Sequence, residues 1–150
     1  MSERDLVAEI KVLALGLLAR REHTRLELVR KLAAKGYRHE AIDVALDRLV
    51  QSGALDESRF ASAYVDERVR GGFGPLRIRA ELEARGLSDA LIETHLSQHA
   101  DWEARLAQLH DRRFGDTRPR DRAEYARRGR FLEQRGFPAE MIRRRLPGPE

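Results

Sequence analysis

His95 and His99 stand four residues apart, the spacing at which two imidazoles on one helix face can hold a metal ion. No Glu sits between them in an HExxH arrangement, and the chain has no cysteine to complete a tetrahedral site, so a metal role is not expected. Gly71-Gly72-Phe73-Gly74-Pro75 is glycine-rich but lacks the Lys-Ser/Thr end and the preceding strand of a phosphate loop; it reads as a helix connector. No Ser, Thr or Lys lies in a recognisable nucleophile context. These residues predict a non-enzymatic protein without a cofactor.

Arginine is the residue that remains, and its chemistry is recognition: a planar fork of donors that matches carboxylates and phosphates. The formal charge of +4 is unevenly placed. Residues 1–100 hold 16 Lys+Arg against 16 Asp+Glu, whereas residues 101–150 hold 13 Arg against 9 acids. A basic end on a neutral body attracts polyanions or acidic surfaces. Two groups stand out. Arg68, Arg70, Arg77, Arg79 and Arg85 are the candidate partner contacts, although Arg77/Glu81 and Arg79/Glu83 also have the spacing of ordinary helix-surface ion pairs. Arg112, Arg113, Arg118, Arg120, Arg122, Arg127, Arg128 and Arg130 are dense enough to engage DNA phosphates through counterion release. No base-reading motif accompanies them. Phe114, Tyr125, Phe131 and Phe137 are expected in the core and not as base-stacking platforms. Arg143, Arg144 and Arg145 are expected to complement the C-terminal end of the last helix.

The elements that must position these arginines follow from an internal period of 50 residues. That shift superimposes Leu32, Leu82 and Leu132; Gly36, Gly86 and Gly136; Ile42, Ile92 and Ile142; and Leu46, Leu96 and Leu146. Lys35, Arg85 and Arg135 align as basic residues, and Tyr37, Leu87 and Phe137 as large apolar ones. The pattern is a helix, a glycine stop, a closing apolar residue and a second helix whose i, i+4 pair forms an apolar stripe. Thr24-Arg25-Leu26-Glu27 is a capping box, Pro75 suits a first helical turn, and Ser88 suits an N-cap. A further helix precedes each pair, over Leu6 to Arg21, Asp56 to Arg70 and Asp101 to Phe114.

The expected fold is therefore all-α: three tandem three-helix repeats, over 1–54, 55–100 and 101–150, stacked into an elongated, curved, solenoid-like array with a core along its axis. No apolar run reaches the roughly 18 residues of a membrane span. The N-terminal charge pattern and the absence of cysteine point to a cytoplasmic protein, and a monomer is expected.

Asp56-Glu57-Ser58-Arg59-Phe60, Gly72-Phe73-Gly74-Pro75-Leu76-Arg77-Ile78-Arg79 with Glu81-Leu82, and Arg85-Gly86 together resemble the central signature of the RecX family of bacterial recombination regulators. Asp101-Trp102 and the arginine-rich stretch from Arg118 to Arg130 are similar to that family as well. The resemblance implies tandem three-helix repeats, no catalytic residues, and a partner in the filament that RecA recombinase forms on single-stranded DNA. It also implies limitation of filament growth, ATP hydrolysis and strand exchange, within DNA recombination, repair and the SOS response. Weak non-specific DNA binding accompanies this reading. The alternative from the residues alone is a helix-turn-helix protein acting directly on duplex DNA, against which all three helix pairs carry the same apolar stripe where a groove reader needs one exposed recognition helix.

Overall fold

The computed structural model describes residues 1–99 and 101–149. Helices α1 (Glu3–Arg20), α2 (Arg25–Ala34) and α3 (His39–Gln51) form the first unit; α4 (Glu57–Arg70), α5 (Pro75–Ala84) and α6 (Asp89–His99) the second; α7 (Trp102–Phe114), α8 (Arg122–Gln134) and α9 (Ala139–Arg145) the third. No strand occurs among the described residues.

Local chemistry sets the helix boundaries. Thr24 and Glu27 form the expected reciprocal box: the Thr24 hydroxyl accepts from the Glu27 amide at 3.2 Å, and the Thr24 amide donates to the Glu27 carboxylate at 2.9 Å. Pro75 occupies the first turn of α5, where its missing N–H leaves nothing unpaired. The Ser88 hydroxyl accepts from the Leu91 amide at 3.2 Å. A second capping box, Ser2 with Asp5, starts α1 at Glu3, three residues before its first apolar position. Between the second and third helix of each unit, Gly36, Gly86 and Gly136 take φ of 95°, 87° and 103°. The next amides, of Tyr37, Leu87 and Phe137, donate back to the carbonyls of Leu32, Leu82 and Leu132 at 3.3, 3.3 and 3.2 Å.

The i, i+4 stripes are buried as expected: Ile42 and Leu46, Ile92 and Leu96, Ile142 and Leu146. Each such side chain contributes about 1.5–3 kcal/mol on leaving water. The core expected along the axis is divided, however. The buried residues form three separate clusters, one per unit, and only half-buried Trp102 packs against two of them. The physical reason is that the first helix of each unit lies across the third, so every unit closes its own core; the substantial helix contacts all fall within units.

The units are joined by a contact that repeats with the same period. In the first junction, the Thr24 hydroxyl donates to the Arg85 carbonyl at 2.7 Å, and Gly86 lies so close that a Cβ on it would fall 2.7 Å from Leu26 Cβ. In the second, Gly74 and Leu76 amides donate to the carbonyls of Arg135 and Gly136 at 2.7 and 2.9 Å. Thus the glycine turn of each later unit seats on the N-terminus of the second helix of the unit before it. Trp102 strengthens the second junction by donating its indole N–H to the Leu96 carbonyl at 2.9 Å. The first is completed by polar contacts, Arg59 to Glu22 at 2.6 Å and the Arg25 amide to Glu57 at 3.0 Å. Among the described residues, no hydrogen bond or ion pair links the first unit to the third.

Gly36 and Gly136 share a left-handed backbone, but only Gly136 is enclosed: its Cβ would fall 2.7 Å from the Arg77 amide nitrogen, whereas Gly36 faces open space. In urea unfolding, Gly36→Ala is expected to lose about 1–2 kcal/mol from backbone strain alone. Gly136→Ala is expected to lose a further ~1–3 kcal/mol from overpacking at the junction. Equal losses would mean that the seating is not rigid.

Candidate functional site

Phe73 organises the first group of arginines. The turn Gly71-Gly72 ends α4, Gly72 at φ 86°, and puts the Phe73 ring between α4, α5 and the turn after α8. The guanidinium carbons of Arg68, Arg77 and Arg135 lie 3.8, 4.5 and 5.0 Å from the ring centroid, each in cation–π contact. Arg68 also forks onto Glu81, at 2.9 and 2.6 Å, and the Tyr64 hydroxyl donates to the same carboxylate at 2.9 Å. Partial burial pushes the Glu81 carboxyl upward, but the donors of Arg68, Tyr64 and Arg77 outweigh it, and the group sits below its ordinary range. Arg85 lies 4.7 Å from the Tyr64 ring centroid and donates to the Glu81 carbonyl at 3.0 Å.

Four of the five candidate partner contacts are therefore engaged within the protein. Arg77 makes the expected i, i+4 pair with Glu81, at 3.4 Å, and crosses the junction to the Gln134 carbonyl at 3.3 Å. The expected Arg79–Glu83 pair is corrected: Arg79 pairs with Glu93 on α6. The neighbouring helix offers a carboxylate that sequence spacing along α5 does not reveal. Arg70, in the last turn of α4, is exposed and makes no side-chain bond among the described residues.

The second group splits likewise. Arg112, Arg118, Arg122, Arg127 and Arg130 are exposed and unpaired among the described residues; Arg113, also exposed, lies 4.9 Å from the Phe131 ring centroid. Arg120 pairs with Glu124 at 3.2 Å. Arg128 is the correction. It is 2% exposed, so it is not a surface phosphate contact. Its donors reach the Thr117 carbonyl at 2.8 Å, the Glu124 carboxylate at 3.0 Å and His110 Nε2 at 3.1 Å, which ties the loop between α7 and α8 to both helices. Arg143, Arg144 and Arg145 stand in the last turn of α9 as expected, and Arg144 and Arg145 also pair with Glu103 on α7, which fastens α9 to the first helix of its unit.

The remaining candidates take structural places. His95 and His99 stack at 5.5 Å and bond to Ser58 at 2.9 Å and Ser62 at 3.2 Å, a polar seam between α4 and α6. Among the described residues no three His, Cys, Asp or Glu side chains cluster as a metal site. Phe137 is buried; Phe114, Tyr125 and Phe131 are half-buried, Phe114 and Phe131 packed edge to face at 5.5 Å.

The structure also brings together what the sequence separated. Arg70 of the second unit and Arg105 and Arg112 of the third line one small cleft of about 30 Å³. Arg105 was not among the expected site residues. Its signal was the seven-residue spacing to Arg112, two helical turns that place both on one face of α7.

Comparison with known proteins supplies the lineage. Models of RecX match three consecutive stretches: its first three-helix domain over residues 11–49, its second over 56–96 and its third over 101–146. The chain belongs to the RecX family. It is 49% identical to the regulatory protein RecX of Pseudomonas savastanoi pv. phaseolicola over 145 residues, 96% of this chain and 94% of that one. It is 44% identical to the regulatory protein RecX of Halorhodospira halophila, covering 95% and 90%. The fold matches the crystal structure of RecX from Lactobacillus salivarius with a TM-score of 0.81, at 20% identity and 94% coverage of both chains. RecX proteins thus share the three-unit array seen here. No helix among the described residues is long and apolar enough to cross a membrane.

The Arg128 network has an acid signature. The Arg120 amide at 2.6 Å and the Arg128 side chain hold the Glu124 carboxyl down at about 2, against an ordinary 4.5. A carboxyl lowered in the folded state adds stability that is complete above about pH 4.5 and lost as pH falls toward about 2. The stability gap between wild type and Glu124→Gln, measured by urea unfolding at several pH values, is expected to stay constant down to that window and close within it. A gap unchanged through the window would show that the contacts do not hold the charge. Arg128→Ala, which strands the buried partners, is expected to lose about 3 kcal/mol at neutral pH.

Proposed function

We propose that this protein binds the filament of RecA recombinase on single-stranded DNA and restrains its growth, ATP hydrolysis and strand exchange, acting in the cytoplasm without catalysis of its own. The observation that carries the reading is family membership along the whole array: all three units match RecX domains in order, and relatives named as regulatory proteins are nearly half identical over 96% of the chain.

The geometry fits a polymeric partner. Successive units present basic positions along an extended body, and linked contacts to neighbouring subunits of a helical polymer raise effective concentration without any one being strong. A ligand that favours one filament state shifts the polymer by its differential affinity for the states. In that reading Arg70 and the unpaired arginines of the third unit make the contacts, while Arg68, Arg77, Arg79 and Arg85 shape the surface that carries them. The buried stripes of α3, α6 and α9 weigh against insertion of a recognition helix into duplex DNA.

Single-stranded-DNA-dependent ATP hydrolysis by RecA is expected to fall as this protein is added. An unchanged rate at several-fold molar excess would refute the proposal. A gel-shift preference for one duplex sequence over random duplex, surviving at high salt, would favour the duplex-reading alternative.

A further inference from the structure

The geometry points to the cleft between the second and third units as a phosphate clamp for a single nucleic-acid strand, taken by its backbone and without regard to base. Arg70 stands on one side at the end of α4; Arg105, Gln108 and Arg112 line the other along α7, with Leu109 and Phe137 in the wall. Positions i, i+3 and i+7 share a helix face, and Arg105 to Arg112 spans about 10.5 Å at 1.5 Å per residue. Over that length the two arginines can meet neighbouring phosphates of one strand passing across the mouth of the cleft.

Two observations separate this cluster from a solvated charged face. First, carboxylates satisfy the arginines nearby: Arg68 and Arg77 on Glu81, Arg79 on Glu93. The cleft is lined by three arginines and by no carboxylate, and none of the three makes a side-chain bond among the described residues. Second, the backbone sets the two walls of the cleft. A Cβ on Gly72 would fall 3.1 Å from Leu109 Cδ1, so this turn brings the end of α4 against α7, and Arg135 holds it by donating to the Gly71 carbonyl at 3.3 Å. Like charges held together by a fixed turn repel one another, and an anion between them relieves that repulsion.

Indifference to base follows from Phe73. Of the two aromatic side chains lining the cleft, Phe137 is buried, and three guanidiniums already crowd the ring of Phe73. No free aromatic face is left there for a base to stack on, so recognition falls to the phosphates. A polynucleotide suits the site better than an acidic peptide because all the charged donors are arginine forks, two of them spaced along α7 like a repeating charge. If the RecA filament is the partner, as proposed above, its DNA strand meets the protein here. The cleft nevertheless takes a naked strand, so it can be tested without RecA.

Fluorescence anisotropy of labelled oligo(dT) and oligo(dA) with the full chain over a salt series is the direct measurement. Both are expected to bind with similar affinity. The triple variant R70Q/R105Q/R112Q is expected to bind at least about tenfold more weakly at low salt, with the slope of log affinity against log salt reduced by about 2, at ~0.7 per phosphate contact. Arg48→Gln, at an exposed site on the first unit, serves as the control. Matching thermal melts establish that the triple variant is folded; if it is not, the single variants R105Q and R112Q are each expected to lower the slope by ~0.7. Absent binding by the wild type, or a triple variant that binds like wild type, overturns the clamp. A triple variant that loses its effect on RecA while still binding oligo(dT) also overturns it, assigning the cleft to an acidic protein surface. Unaltered RecA inhibition by a variant that no longer binds oligo(dT) leaves the clamp standing and detaches it from the proposed function.

Discussion

A glycine turn seated on the start of a neighbouring helix is the contact on which the assembled array depends. Within its own unit, the turn ends the second helix and sends the chain back so that the third helix can close the core. Between units, carbonyls at the Gly86 and Gly136 turns accept hydrogen bonds from residues at the N-termini of α2 and α5, the Thr24 hydroxyl in the first case and two main-chain amides, of the kind helix geometry leaves free, in the second. The approach is close enough that a side chain at either glycine would collide with its neighbour. Because the separate cores share only Trp102, these narrow contacts fix how the units are set relative to one another.

The two junctions use one geometry with different chemistry. The first combines a hydroxyl donor, Thr24, with ion pairs at its rim; the second uses main-chain donors, the Trp102 indole and the Phe73 ring with its three guanidiniums. More of the arginine content is committed to the second junction, and this sorts the charges. Arginines that hold the units in place have carboxylate, carbonyl or aromatic partners. Those without partners among the described residues include Arg70, Arg105 and Arg112, which line the cleft where the second unit meets the third, and others along the third unit. A basic protein thus offers a partner only part of its positive charge, in a place defined by its backbone.

This arrangement suits regulation by binding. The histidines form a polar seam between α4 and α6, and the glycine-rich segment is a structural connector that makes room for Phe73. In the function proposed above, a body with charge concentrated toward one end lies along a polymer and reads repeated features of it. Membership of the RecX family gives that polymer a proposed identity.

The sequence by itself determined the helices, the period and the turns, because each is set by residues adjacent in the chain. Thr24 caps through Glu27 three residues on, and Gly86 needs only its own missing Cβ to take a positive φ. The i, i+4 stripes likewise marked the buried faces of α3, α6 and α9. Only the tertiary structure decided how the charges were spent. Arg79 chose Glu93 over Glu83, Arg128 went inside with Glu124 and His110, and Arg70 joined Arg105 and Arg112. A long, flexible guanidinium side chain finds its partner through space after the units have docked, at sequence separations that no helical spacing encodes.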